Sequence, residues 1–120
     1  MARFEGKRVI VTGAASGFGA AMSRRFASEG ARVMCADLNE AGAKEVAAAL
    51  DGAIPFGIDV TNEERTREMA QTAVDAWGGI DVVCANAGVP HRIGPMIEME
   101  TEVFERQFAI NTRSVYFAAK

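Results

Sequence analysis

The chain has 120 residues, of which 49% are hydrophobic and 24% are charged, a balance that fits one folded domain over residues 1–120. Its formal net charge is -3 and no run of Lys or Arg alternates with aromatic residues, so we predict no nucleic-acid partner. No segment approaches the roughly 18 consecutive apolar residues of a membrane span, and the N-terminus lacks the apolar stretch of a secretory signal. We therefore expect a cytoplasmic protein with no membrane partner.

Four apolar segments, at residues 8–13, 32–37, 54–60 and 80–86, have the composition of β-strands. Each of the first three precedes about 12 to 16 residues with helical periodicity, and a further helix is expected to begin near Thr101. Segments that are apolar on both faces are typical of parallel strands covered by helices on both sides. The alternation of strands and helices therefore predicts an α/β fold. Because crossovers between parallel strands are right-handed, we expect a Rossmann-like doubly wound parallel sheet with strand order 3-2-1-4, truncated after the fourth strand and its helix.

Apolar side chains recur every four residues in the predicted helices, at Phe18, Met22 and Phe26 in the first and at Val46 and Leu50 in the second. This spacing places each set on one face of its helix. We expect both sets to pack on the sheet.

The two cysteines, Cys35 and Cys84, lie in the second and fourth predicted strands. The order 3-2-1-4 puts another strand between them, so they would be about 9 to 10 Å apart, beyond the reach of a disulfide. We predict two free thiols and no metal site.

The segment from Thr12 to Gly19 is the strongest functional signal. It follows an apolar strand, opens a helix and carries glycines in the pattern G-x-x-x-G-x-G, at Gly13, Gly17 and Gly19. Glycines allow a sharp turn and a close approach of the backbone to an anion, and a helix N-terminus offers free N–H groups. These features predict a nucleotide phosphate site.

Two carboxylates follow predicted strands at the same edge of the sheet. Asp37 is about 20 residues beyond the glycines, where a carboxylate accepts hydrogen bonds from ribose hydroxyls and repels a 2′-phosphate. It could instead cap the next helix, as Asn39 could. Asp59 either meets an adenine amine or serves the turn before the third helix. Thr61 and Glu64 form a capping-box pattern, which predicts that Thr61 is the cap.

Two amides complete the set. Asn86 begins an Asn-Ala-Gly sequence at the end of the fourth predicted strand, where a plain Asn-Gly type turn is the simpler interpretation. Asn111 interrupts an apolar stripe formed by Phe104, Phe108 and Val115. A buried amide without partners costs about 1 to 3 kcal/mol, so we expect Asn111 either to bond to backbone or water, or to help bind a ligand.

Taken together, these motifs closely resemble the N-terminal half of the short-chain dehydrogenase/reductase family, in the family's order and over essentially the whole chain. The family usually has two Asn before Ala-Gly, and here Ala85 replaces the first. The resemblance implies an NAD-dependent oxidoreductase that transfers a hydride between nicotinamide and a small alcohol or ketone, and that forms a homo-oligomer, a dimer or a tetramer. It assigns NAD binding to these residues: Gly13, Ser16, Gly17, Phe18, Gly19, Asp37, Leu38, Asp59, Val60, Asn86, Ala87 and Gly88.

The resemblance also assigns Asn111 to the catalytic group, where the family's Asn helps to hold a water in a proton relay. The family's catalytic Ser and its Tyr-x-x-x-Lys pair come later, after another strand, so we expect this chain alone to be inactive.

Tyr116 and Lys120 have the spacing of the family's Tyr-x-x-x-Lys pair, but they follow Asn111 in the same predicted helix. At about 100° per residue they point roughly 140° and 180° away from it. We expect them to lie outside the site.

Other nucleotide-binding classes fit less well. A P-loop phosphotransferase needs Gly-Lys-Ser/Thr after its glycines, whereas Ala20 and Ala21 follow Gly19 here. A methyltransferase gives no reason for Asn86-Ala87-Gly88 together with Asn111. The alternative from another class is a noncatalytic nucleotide-binding or interaction module.

Overall fold

The computed structural model describes residues 2–120, and its strands confirm the predicted sheet. All the strand pairs are parallel, and the order is β3-β2-β1-β4. The strands are β1 (Arg8–Thr12), β2 (Arg32–Asp37), β3 (Ile54–Gly57) and β4 (Val82–Cys84). The last two are shorter than expected.

The fourth strand ends early because its backbone turns toward a side chain. After Cys84, the N–H groups of Asn86 and Ala87 both donate to the Thr12 hydroxyl at 3.1 Å, and neither continues the ladder with β1. The Thr12 hydroxyl in turn donates to the Cys84 carbonyl at 3.4 Å. This arrangement joins the carboxyl ends of β1 and β4.

The helices alternate with the strands as predicted, although α2 has only 9 residues. A π-helical turn, Ala109–Arg113, joins α4 to α5, and a 3-10 turn, Met96–Glu98, precedes α4. The helices are α1 (Gly17–Ser28), α2 (Glu40–Ala48), α3 (Glu63–Trp77), α4 (Thr101–Phe108) and α5 (Ser114–Ala119). Within residues 2–120, none of them is both long enough and apolar enough to cross a bilayer.

The cap of α3 differs from the prediction. Asn62, and not Thr61, is the N-cap, and its side chain accepts a hydrogen bond from the Arg65 N–H at 3.0 Å. The Thr61 hydroxyl instead donates to Asp59 at 2.6 Å. Of the two residues that could cap α2, Asn39 and not Asp37 is the N-cap, since its side chain accepts from the Gly42 N–H.

The core has two layers, one on each face of the sheet. Val9 and Val11 of β1 pack with α1, α2 and the same face of β2, whereas Ile10 packs with Met34 and with α3 through Met69. The central strand therefore contributes alternate residues to both layers.

The periodicity predicts part of this packing correctly. Val46 is buried, and Met22, Phe26 and Leu50 pack against the core. Phe18 does not, because it lies in the first turn of α1, beyond the sheet, and is 85% exposed.

The strand pairing agrees with the expectation for the two cysteines, and the exposure of the α4 side chains corrects the expectation of an apolar core stripe. Val11 pairs with Cys35 on one side and with Cys84 on the other, so the two thiols are separated by a strand, and both are free as predicted. The stripe of α4 and α5 is not a core face, since Phe104 and Phe108 are each 54% exposed.

Candidate nucleotide-binding site

A cleft of about 460 Å³ lies at the carboxyl ends of the four strands. Its volume is in the range of small-molecule sites, and its position is the one where open α/β sheets bind ligands. Of the residues that sequence analysis assigned to NAD, only Gly17 and Gly19 do not line it. The predicted residues that do are Gly13, Ser16, Phe18, Asp37, Leu38, Asp59, Val60, Asn86, Ala87 and Gly88.

Gly13 and Gly19 are required by close packing of the loop. Gly13 has φ +68°, and a Cβ there would lie 2.9 Å from Asn86 Nδ2 and 3.0 Å from Ala87 Cα. A Cβ on Gly19 would lie 1.9 Å from the Gly13 carbonyl oxygen. Gly19 therefore acts behind the cleft, where it lets α1 pack on the loop.

The N–H groups at the start of α1 have no hydrogen-bond acceptor within the described residues. Ser16 is the N-cap residue, but its side chain makes no capping hydrogen bond, and the first turn carries no acidic residue. Within residues 2–120, no acceptor takes the N–H groups of Ser16, Phe18 or Gly19. Free N–H groups and the positive end of a helix dipole form a site for an anion such as a pyrophosphate.

Asp37 connects the end of β2 to the glycine loop. One carboxylate oxygen accepts from the Ala15 N–H at 2.9 Å and the other from the Asn39 N–H at 2.8 Å. Each oxygen of a carboxylate has room for a second donor. Asp37 is thus fixed in the cleft wall and can still accept hydrogen bonds from a ligand.

Asp59 is the second carboxylate of the cleft. Its Oδ1 accepts two hydrogen bonds from Thr61, one from the N–H and one from the hydroxyl. These bonds hold the pKa of Asp59 below its ordinary value, and the nearby charge of Arg106 adds to the effect. Asp59 is therefore ionised near neutral pH, and its Oδ2 makes no hydrogen bond within residues 2–120.

Asn86 holds the glycine loop on its other side. Its side-chain amide donates to the carbonyl of Thr12 at 3.1 Å and, more weakly, to that of Gly13 at 3.4 Å. The segment is therefore a specific support of the loop, more than a plain Asn-Gly type turn.

Asn111 lies outside the cleft and is exposed rather than buried, and three hydrogen bonds hold its side chain. Its Oδ1 accepts from the Val89 N–H at 2.8 Å, and its Nδ2 donates to the Val89 carbonyl at 3.0 Å and to Gln107 at 2.9 Å. Gln107 also reaches the carbonyl of Pro90. Of the two expectations for this amide, the side chain meets the first, bonding to backbone.

Tyr116 and Lys120 do not approach this site. The Lys120 ammonium pairs with Glu63 of α3 at 2.8 Å and lies 5.4 Å from the centre of the Tyr116 ring. Neither residue lines the cleft.

Sequence analysis missed four residues that line the cleft. Ile58 and Val89 directly adjoin residues that were predicted, so a wider window around each motif would have included them. The other two, Arg106 and Ile110, are four residues apart on one helical stretch, and the α4 pattern could have indicated their shared face. The four residues are Ile58, Val89, Arg106 and Ile110.

The fold and cleft thus define a Rossmann-like α/β protein with a candidate nucleotide site. The profile of the short chain dehydrogenase family matches residues 7–120, and the chain belongs to that family.

Its relatives include proteins from plants, animals and bacteria. Short-chain dehydrogenase reductase 5 of Arabidopsis thaliana is 38% identical over 113 residues, which cover 92% of this chain and 44% of that protein. The L-fucose dehydrogenase of Oryctolagus cuniculus is 36% identical over 119 residues, 99% of this chain and 42% of that protein. The chain therefore spans less than half the length of these relatives.

A solved structure agrees with this assignment. The crystal structure of the 3-ketoacyl-(acyl-carrier-protein) reductase from Brucella melitensis, complexed with NADH, matches with a TM-score of 0.93 and 36% identity. The match covers 97% of this chain and 48% of that one.

Proposed function

We propose that this chain is the cofactor-binding part of an NAD-dependent oxidoreductase that transfers a hydride between nicotinamide and an alcohol or ketone. The observation that carries the proposal is the uncapped N-terminus of α1, whose first N–H groups adjoin a cleft lined by Gly13, Ser16 and Phe18. The names of the relatives, which include dehydrogenases and an NADH-complexed reductase, support it.

The donors and acceptors of the cleft fit a dinucleotide. The loop N–H groups would hold the pyrophosphate, Asp37 would accept from the adenosine ribose, and Asp59 would accept from the adenine amine. The bound nicotinamide would supply the hydride acceptor or donor.

A preference for NAD over NADP follows from charge. A 2′-phosphate would lie beside the Asp37 carboxylate, and Ala14 and Ala15 offer it no compensating cation. Because Asp37 is fixed by two backbone N–H groups, it has little freedom to move away from that phosphate.

Asn111 enters the proposal through the loop that it holds. Its two hydrogen bonds to the Val89 backbone hold the segment that follows Gly88 at the mouth of the cleft. We therefore propose Asn111 as a positioning residue for the catalytic group to which the family resemblance assigns it. The exposed aromatic side chains of α4, Phe104 and Phe108, support a homo-oligomer.

Fluorescence titration with NADH and NADPH tests the proposal, on the protein expressed at its full length and on its Asp37→Arg variant. We expect the wild type to bind NADH more tightly than NADPH, and the variant to lose or reverse that preference. Asp51→Arg is the matched control, because Asp51 is exposed in the turn after α2 and does not line the cleft.

Two results would count against the proposal. If the wild type binds neither dinucleotide, the cofactor assignment is wrong. If Asp37→Arg keeps the wild-type preference for NADH, the role given to Asp37 is wrong. Binding of NADH without turnover of any alcohol or ketone would favour a noncatalytic nucleotide-binding module.

A further inference from the structure

Arg106 is the one basic residue that lines the cleft within residues 2–120. It lies in α4, four residues before Ile110, and both side chains reach the cleft from the same helical face. Gln107 and Asn111, one position further along in each case, instead contact Val89 and Pro90. The helix therefore divides its side chains between the cleft and the loop.

The Arg106 guanidinium has no partner of its own. It makes no hydrogen bond and no ion pair with any residue from 2 to 120. Most other arginines of the chain are bound, as Arg8 is to Asp81 and Arg3 to Glu29. A guanidinium that faces a cleft and is not held by the protein is available to a ligand.

The position of Arg106 indicates which part of the dinucleotide it would contact. Arg106 shares the cleft with Asp59 and Val60, and its charge acts on the Asp59 carboxylate. The proposed function assigns these residues to the adenosine, which places Arg106 at the adenosine end of the cleft. A planar guanidinium binds well over the face of an aromatic ring, and adenine is such a ring. Its charge also offsets part of the repulsion between two carboxylates and an anionic dinucleotide.

We propose that Arg106 is a nucleotide-binding residue whose guanidinium covers the adenine base, near Asp59. The inference rests on the proposed function and adds to it a residue that neither the glycine motif nor the strand-end motifs contain. According to this inference, α4 contributes to the affinity for the adenosine half of the dinucleotide and not for the nicotinamide half.

The test compares the affinity of the full-length wild type and of Arg106→Gln for NADH, by fluorescence titration, and for AMP, by competition against NADH. We expect Arg106→Gln to raise both dissociation constants by a similar factor, roughly fivefold. Arg106→Lys keeps the charge but loses the planar group, so we expect it to recover only a small part of the affinity. Arg24→Gln removes the same charge from an exposed site on α1 and should leave both constants unchanged.

The possible failures are distinguishable. If the wild type does not bind NADH, the proposed function fails and this inference with it. If the wild type binds NADH and Arg106→Gln binds NADH and AMP within twofold of it, only the inference is overturned. Full recovery by Arg106→Lys would overturn the stacked arrangement. Far-UV circular dichroism of each variant establishes that an affinity loss is not a loss of fold.

Discussion

Asn111 binds Val89 by both of its backbone groups, the N–H at 2.8 Å and the carbonyl at 3.0 Å. This pair joins the π-helical turn after α4 to the loop after β4. We expect Asn111→Ala to lower the free energy of unfolding by about 1 to 2 kcal/mol, because two backbone hydrogen bonds are lost. Urea unfolding measures the change.

Hydrogen exchange gives a local test of the same contact. The Val89 amide should exchange faster in Asn111→Ala than in the wild type, while amides of β1 keep their protection. Gln107→Ala, which leaves the Val89 N–H bonded, is the control. Equal exchange of Val89 in the wild type and in Asn111→Ala would contradict the contact.

The cap of α3 can be tested by two neighbouring substitutions. Asn62→Ala removes the side chain that accepts from the Arg65 N–H, so we expect a loss of about 1 kcal/mol of stability. Thr61→Ala removes only a hydroxyl that bonds to Asp59 and should cost less than half as much, roughly 0.5 kcal/mol or below. Thermal unfolding compares the two variants. The assignment of the cap is wrong if Thr61→Ala proves the more damaging.

The ion pair between Glu29 and Arg3 leads us to expect that the folded protein loses stability in acid. Its side chain is only 5% exposed, and Arg3 binds both of its oxygens at 2.6 Å. Chiefly through the Arg3 hydrogen bonds, the pKa of Glu29 falls from 4.5 to about 2. A carboxyl with a lowered pKa stabilises the fold above its unfolded pKa, and this contribution disappears as the pH falls from about 4.5 toward 2.

Urea unfolding of Glu29→Gln between pH 7 and pH 3 tests this dependence. We expect the variant to be less stable than the wild type at pH 7, and the difference to shrink below pH 4.5. Glu45→Gln is the control, because Glu45 is exposed on α2 and makes no ion pair within residues 2–120. A difference that stayed constant over this range would show that the Glu29 charge does not act in this way.

The thiols should be reduced and slow to react. Cys35 is fully buried and Cys84 half-buried, and burial is the main cause that raises the pKa of each thiol. The thiolate is the reactive form. We expect a thiol reagent to label neither cysteine rapidly in the folded protein at pH 7, and to label both after denaturation. Rapid labelling of Cys35 before unfolding would contradict its burial.

The sheet could be predicted from sequence because its rules are local and few. Apolar segments separated by helices must be parallel, and right-handed crossovers then restrict the order of the strands. The same reasoning placed Asp37, Asp59 and Asn86 at one edge, since the carboxyl ends of parallel strands meet there. Their convergence on one cleft therefore followed from topology alone.

The remaining details depend on neighbours that a sequence pattern does not specify. Periodicity assigns Phe18 to a helix face, but it does not say whether anything packs against that face in the first turn. Thr61 and Asn62 are both capping residue types, and the sequence does not show that Asn62 accepts from the Arg65 N–H while Thr61 bonds to Asp59. Arg106 belongs to no sequence motif, and only the position of α4 beside the cleft identifies it.

The alternation of β1 between two core layers has a consequence for ligand binding. Val9 and Val11 are tied to one layer and Ile10 to the other, and the chain passes from this strand directly into the loop at Gly13. Distorting the loop therefore disturbs both layers together, so the loop is not an independent flap. A nucleotide bound there should raise the melting temperature of the whole domain in a single cooperative transition.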